Sequence, residues 1–273
     1  MNVSRLEEVR RRRPLIHCVS NIVSANDCAN LALAVGASPM MAQAPEEMAD
    51  ITAISDATVL NTGTPDAAKF DACRVCGREA AALGRPVVLD PVGVGASCWR
   101  REAALGLLEE VKCTVIRGNA SEIKALALGR GGAAGVDADL ADEITPQNLE
   151  KMTAFAKAFA EKTGAVVAVT GAIDIVADSR TAYRIRNGHP MMSAVTGAGC
   201  QLSALTAAFV AANPDRPLEA AAAAVCAMGL AGEIAFGRLS PQDGNGTYRN
   251  YLIDAIYRMT PQTLEKGADY EVR

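Results

Sequence analysis

Aromatic residues make up only 4% of this 273-residue chain, with a single tryptophan. Stacking platforms for nucleobases are therefore scarce. The net charge of −4 argues further against a nucleic-acid partner. Two histidines, His17 and His189, are too few for a histidine-rich metal site. No run of about 18 uninterrupted apolar residues occurs, so no membrane partner is expected. The opening stretch MNVSRLEEVRRRRP lacks the apolar core of a secretory signal. A cytoplasmic location is expected from this, with the eight cysteines reduced. Cys73-x-x-Cys76 has no second pair or nearby histidine to complete a zinc site, and it falls inside a predicted helix. The run Gly129 to Gly135 (GRGGAAG) has no strand before it and no Lys-Ser/Thr after it. It is therefore read as a mobile loop and not as a Walker phosphate loop. No Pro/Ser-rich linker, internal repeat or abrupt change in composition appears, so residues 1–273 are read as one domain.

What is present is an ordinary globular mixture, 50% hydrophobic and 21% charged. Residues 3–13 read as an amphipathic helix ended by Pro14, and Leu15 to Val19 as a short buried strand. Ala25 to Val35 is a helix closed by Gly36, and Ser38 to Ala42 a second extended run. Its adjacent Met40 and Met41 point to opposite faces, so one of them can line a pocket. A helix opens at Ala44-Pro45-Glu46-Glu47, a strand spans Thr58 to Asn61, and a helix spans Asp66 to Leu83. Further strands are expected at Pro86 to Asp90, Cys113 to Ile116 and Ala165 to Gly171. Thr145 is expected to cap a helix running to Lys162, and a strand pair turns at Asp178-Ser179. Beyond Cys200 the chain reads as helical, at 202–212, 217–237 and 247–258. The recurring helix–strand alternation predicts an α/β fold: three-layer α/β/α with a mostly parallel central sheet.

In open α/β sheets ligands bind beyond the carboxyl ends of the strands. Several polar residues are expected there. Asn21 follows the first strand, and is either a substrate contact or a turn residue. Asp90 closes an apolar strand before the backbone-exposed loop Pro91-Val92-Gly93-Val94-Gly95-Ala96. It either caps that loop or serves Mg²⁺ or a polar substrate group. Arg117, Asn119 and Glu122 cluster at another exit. Arg117 offers a forked cation for phosphate, and Glu122 an oxygen for Mg²⁺ through water. Asn119 or Ser121 can instead cap the next helix. Thr170 closes a further strand, where it can bond a nucleotide phosphate.

The chain is organised around Ala194-Val195-Thr196-Gly197-Ala198-Gly199-Cys200-Gln201-Leu202-Ser203. A glycine-spaced turn opens directly into an apolar helix. Such a helix start has unpaired N–H groups and a positive dipole end, so it holds phosphate-like anions. Gly197, Ala198 and Gly199 form the expected cradle, and Cys200 sits where a thiolate is favoured. Taken alone, the turn is better read as a tight connection. Cations, oxygen ligands for a metal and an anion cradle together are the parts that phosphoryl transfer needs.

The whole chain resembles the hydroxyethylthiazole kinases of thiamine salvage, within the ribokinase-like superfamily. The resemblance is carried by Ser20-Asn21, Ala37-Ser38-Pro39-Met40-Met41, Asn61-Thr62-Gly63-Thr64, Asp90-Pro91-Val92-Gly93-Val94-Gly95, Arg117-Gly118-Asn119-Ala120-Ser121-Glu122 and Val195-Thr196-Gly197-Ala198-Gly199-Cys200. It implies a ribokinase-like fold and ATP-dependent phosphorylation of the hydroxyl of 4-methyl-5-(2-hydroxyethyl)thiazole. By the family pattern Met41 and Gly197 contact the thiazole, with Asn21 and Gly63 beside them. Arg117 and Thr170 bind ATP, with Asn119 added to that set, and Asp90 and Glu122 serve the Mg²⁺ and phosphate region. A homotrimer with sites between subunits is implied as well. Related sugar and pyrimidine kinases carry Asp where this chain has Cys200, whereas thiazole kinases carry Cys. A thiol with a reference pKa of about 8.5 is a poor base at neutral pH, although a helix start can lower it. Two alternatives are a kinase for hydroxymethylpyrimidine or another small alcohol on the same fold, and a regulatory protein that binds both ligands without transfer.

Overall fold

The computed structural model describes residues 4–129 and 143–273. The expected loop at Gly129 to Gly135 falls, after Gly129, outside the described residues. Helix α1 (Ser4–Arg12) leads into β1 (Leu15–Val19), α2 (Ala25–Val35) and β2 (Ser38–Met40). A short 3-10 turn at Pro45–Glu47 precedes α3 (Met48–Ile54), where one continuous helix start was expected. Three strand–helix units follow: β3 (Ala57–Asn61) and α4 (Ala67–Ala82), β4 (Val87–Asp90) and α5 (Cys98–Glu110), β5 (Val115–Asn119) and α6 (Ala120–Leu128). After α7 (Leu149–Thr163) come β6 (Val166–Thr170), β7 (Asp174–Ala177) and β8 (Ala182–Ile185). Helices α8 (Ala198–Ala212), α9 (Pro217–Gly237), α10 (Asn245–Arg258) and α11 (Pro261–Gly267) precede a last strand, β9 (Tyr270–Val272).

Among the described residues nine strands form one sheet in the order β2-β1-β3-β4-β5-β6-β7-β8-β9. The pairs from β2 to β6 are parallel, and β6 through β9 are antiparallel. Helices cover both faces. One core gathers α1, α2, α8, α9 and α10 over Ile16, Val59, Val88, Val115 and Ala168. The other gathers α4 to α7 over Leu60, Leu89, Ile116, Val167 and Val169. Alternate residues of each strand thus feed opposite layers, as a pleated strand requires. Helix α9 is long and apolar enough to suit a membrane span by length and composition. Here it is largely buried in the first core.

Four local expectations need correction. The strand expected at 113–116 runs on to Asn119, because Arg117, Gly118 and Asn119 pair with Ala168, Val169 and Thr170. Thr145 does not cap α7. Its N–H donates to Asn148 Oδ1 at 2.8 Å in a preceding turn, and the helix begins at Leu149. Helix α8 begins at Ala198 and not at residue 202, so Gly199 and Cys200 lie inside its first turn. The tail is not purely helical. β9 adds to the sheet edge through the pairs Tyr183–Val272 and Ile185–Tyr270.

Strand parity positions the site. Asn61, Asp90, Arg117 and Thr170 lie an even number of residues beyond Val59, Val88, Val115 and Ala168. Those four apolar residues all face the core that contains α8. The polar residues at the strand ends therefore turn toward the start of α8. Register sets them abreast, with Asn61 opposite Asp90, and Arg117 one step past the Leu89–Ile116 pair.

Candidate active site

The turn into α8 requires glycine at two positions. Gly197 caps the helix at φ 74, and a Cβ there would stand 2.6 Å from the Cβ of Ser24. A Cβ on Gly199 would stand 2.5 Å from Arg117 Nη1, so the guanidinium can lie against bare backbone only. The Ala198 N–H turns back to the carbonyl of Val195 at 3.3 Å. Gly199 and Cys200 follow in the same first turn, where N–H groups lack an acceptor within the helix.

Beside this helix start lies a chain of buried polar contacts. Asp90, fully buried, accepts from Asn61 Nδ2 and Ser203 Oγ, each at 2.8 Å, through Oδ2. Its Oδ1 accepts no hydrogen bond and lies 3.6 Å from Arg117 Nη1. Burial raises the Asp90 pKa to about 6. Arg117 lowers it, and Glu122 adds to the rise. Arg117 is 8% exposed, donates from Nη2 to Thr170 Oγ1 at 2.8 Å, and keeps an unpartnered Nε. A fully satisfied structural pair would leave no such capacity unused. Arg117, Thr170 and Gly199 line a cleft of about 870 Å³, to whose wall Leu202, Val225 and Met228 also contribute. The lining thus combines a cation and a helix start with apolar side chains. That pairing fits a phosphorylated ligand carrying a flat, largely apolar group.

The sequence pattern of the hydroxyethylthiazole kinase family matches residues 6–262. The chain belongs to that family. It is similar to the hydroxyethylthiazole kinase of Clostridium acetobutylicum, 54% identical over 267 residues that cover 98% of each chain. A solved structure of the hydroxyethylthiazole kinase protein from Pyrococcus horikoshii superposes with a TM-score of 0.88 at 35% identity, covering 99% of this chain and 98% of that one. The pyridoxal kinase of Staphylococcus aureus, 19% identical at a TM-score of 0.60 over 95% and 97% of the two chains, shares the fold alone. The architecture is ribokinase-like, and membership in a kinase family implies ATP as co-substrate.

The remaining expected residues of this thiazole kinase family member divide into two groups. Arg117, Thr170, Asn119, Ala198 and Gly199 line the cleft. Asn21, Gly63 and Cys200 come together on the β1–β3 side of the α8 start. There Asn21 Nδ2 donates to Asn61 Oδ1 at 3.0 Å and to Cys200 Sγ at 3.3 Å. Met41, half-buried just beyond β2, packs against the same core. Its neighbour Ala42 is pinned by His17, whose Nε2 lies 3.1 Å from the Ala42 carbonyl.

One expectation changes, and two further residues are already engaged in local hydrogen bonds. The helix start does not favour a Cys200 thiolate. The residue is buried, and burial followed by the charge of Asp90 raises its pKa, against the polar side chains of Ser24, Asn61 and Asn21. Glu122 has both oxygens engaged, accepting from Gly93 N–H and Asn119 N–H, each at 2.9 Å. It therefore ties the Pro91–Ala96 loop to α6. Asn119 caps α6 by accepting the Glu122 N–H at 2.8 Å, completing a capping box, so its Oδ1 is engaged.

Sequence reasoning missed Asn61, Ser203, Lys69 and Asp174. Asn61 shares the parity of Val59 and could have been found from it. Ser203 lies one turn beyond Gly199, on the same helix face. Asp174, on the cleft wall, accepts from Gly171 N–H at 2.9 Å, and burial pushes its pKa up to about 7. Only the packing reveals it, as is true of Lys69.

Proposed function

We propose that this chain transfers the γ-phosphoryl group of ATP to the hydroxyl of 4-methyl-5-(2-hydroxyethyl)thiazole, a step of thiamine salvage. The observation that carries the reading is the bare start of α8, set beside the Arg117 guanidinium and the buried carboxylate of Asp90 that faces it. The nucleotide lies in the cleft, its phosphates against Arg117, Thr170 and the Gly199 and Cys200 N–H groups. The thiazole sits on the other side of the helix start, among Met41, Gly197, Asn21 and Gly63, and its hydroxyl meets the transferring phosphoryl group near Cys200. Arg117 and the helix start hold charge that builds on the phosphoryl oxygens. The Cys200 thiol, protonated in its buried setting, orients the attacking hydroxyl; a loose transition state needs little proton removal early.

Mg²⁺ fits the oxygen donors present. Asp90 has an unpartnered oxygen, and Glu122 has lone pairs free to reach a hydrated cation. Among the described residues no group of three or more His, Cys, Asp or Glu gathers to hold a metal ion. The ion would therefore draw most of its ligands from ATP phosphates and water. When bound, it neutralises phosphate charge during transfer. The homotrimer with sites between subunits gains support from Ile22 and Val23, 80% and 59% exposed directly beside Asn21. A single domain over residues 1–273, a cytoplasmic setting, and the absence of nucleic-acid or membrane partners complete the reading.

The test is ADP release with the thiazole alcohol, with and without Mg²⁺, alongside hydroxymethylpyrimidine and other small alcohols. Mg²⁺-dependent turnover greatest with the thiazole is expected. Absence of ADP with every alcohol sinks the reading.

A further inference from the structure

The segment from the β3–α4 loop into the first turn of α4, residues 62–69, departs from local preference twice. Thr64 adopts φ 41, the left-handed region that a β-branched residue avoids. Lys69, in the first turn of α4, is 8% exposed and carries its cation at the positive end of a helix. Neither choice follows from propensity or dipole, and such departures concentrate where function over-determines the local structure.

Both act on one place. Lys69 Nζ donates to the Gly63 carbonyl at 2.7 Å. Ile22 N–H donates to Thr64 Oγ1 at 3.4 Å, and Gly63 N–H to Asn61 Oδ1 at 2.9 Å. The loop is thereby pressed onto Asn21: a Cβ at Gly63 would stand 2.9 Å from Asn21 Nδ2, the amide that donates to Cys200. Burial lowers the Lys69 pKa, while Cys73, Asp66 and Cys200 act to raise it. An ammonium has donors only, so a backbone carbonyl satisfies it without neutralising it.

We propose that Lys69 is a positioning residue for the acceptor alcohol. Its buried ammonium, acting through the Gly63 carbonyl, seats the loop that holds Asn21 against Cys200. This rests on the acceptor-side placement of Asn21, Gly63 and Cys200 given above, and predicts that the effect falls on the alcohol and not on the nucleotide.

Lys69→Met keeps most of the stem and removes the donors. It is expected to raise KM for the thiazole alcohol about tenfold, the worth of one charge-assisted hydrogen bond. KM for ATP should stay within about twofold, because the loop is not part of the cleft wall. Lys69→Arg, which keeps the charge and donors, should recover most of the alcohol affinity. Thr64→Gly, which relaxes the backbone and removes the hydroxyl that holds Ile22, supplies the same test without emptying a buried cation site. It should raise the alcohol KM several-fold with an unchanged ATP KM and no loss of thermal stability. An alcohol KM unmoved in both variants, or equal rises for alcohol and ATP, overturns the proposal. If the wild-type protein itself turns over no alcohol, the kinase reading fails and this one falls with it. Wild-type turnover with unmoved variants removes Lys69 alone.

Discussion

The two ends of the parallel strands each carry a cavity, and the larger lies at the end without the proposed chemistry. At the amino-terminal ends, Arg85, Lys112, Thr114, Asp178 and Arg216 surround about 970 Å³. At the carboxyl ends, Arg117, Thr170 and Gly199 border about 870 Å³. Volume does not separate the two ends, but burial of charge does. The Arg85 side chain is 42% exposed and pairs with Asp56 at 3.4 Å, in solvent that screens the pair. Arg117 and Asp90 are buried, and each retains an unpartnered polar atom. Unused hydrogen-bonding capacity in a buried setting is costly unless a ligand completes it. Charge at the amino-terminal edge is hydrated, whereas charge at the carboxyl edge is held back from water and aimed at a helix start.

Substitutions test that contrast, beginning where the loss should be greatest. Asp90→Asn keeps an acceptor for Asn61 and Ser203 but removes the charge facing Arg117. It should cut kcat by about a thousandfold or more, read as ADP release under saturating substrates. Activity within tenfold of wild type would erase the distinction between the two edges. Gly199→Ala should cost on the order of a hundredfold in kcat/KM for ATP, because its Cβ meets Arg117 Nη1 at 2.5 Å. A normal ATP KM in that variant would show that the guanidinium has room to move. Cys200→Ala should slow turnover only about tenfold, since a protonated thiol orients and does not deprotonate. Cys200→Asp should match or exceed wild type, a carboxylate being ionised and able to accept a proton at neutral pH where the thiol is not, and an inactive but folded Asp variant would contradict this.

Titration gives a subtler comparison. Asp90 holds its proton more tightly when folded, with a pKa of about 6 against 3.8 for the free side chain. Its contribution to stability is therefore full below pH 3.8 and is lost as pH rises through about 6. In urea melts without metal or nucleotide, wild type should lose on the order of 2 kcal/mol relative to Asp90→Asn between about pH 4 and about pH 6.5. A difference that stays flat with pH would mean that Asp90 is not desolvated. Least affected should be Arg85→Ala, with turnover within about twofold of wild type and a scarcely changed melting temperature. A large loss there would make the amino-terminal cavity a functional site after all.

How much was legible in the sequence follows from the range of the forces involved. β1 and α2 fall at their expected bounds, because a short apolar run ending in polar residues and a helix closed by Gly36 are local signals. The end of β5 was not legible. Arg117 to Asn119 look like loop residues, yet their backbone pairs with β6, and only the neighbouring strand supplies those hydrogen bonds. The same holds for β9, which forms because β8 offers a free edge. At the site, Asp90, Arg117 and Thr170 were visible as polar residues closing apolar strands. The thiolate expectation for Cys200 failed because it weighed the helix dipole alone, while burial and Asp90 act across the fold.

The sequence by itself determined most of the strands and helices, which face each strand residue takes, and where backbone had to be bare of side chains. These depend on the periods of pleat and helix and on glycine, all local properties. Tertiary structure alone decided that Asp90 loses its water, that Cys200 keeps its proton, and that Lys69 reaches under Gly63. Desolvation and contact between distant segments exist only once the layers close on the sheet.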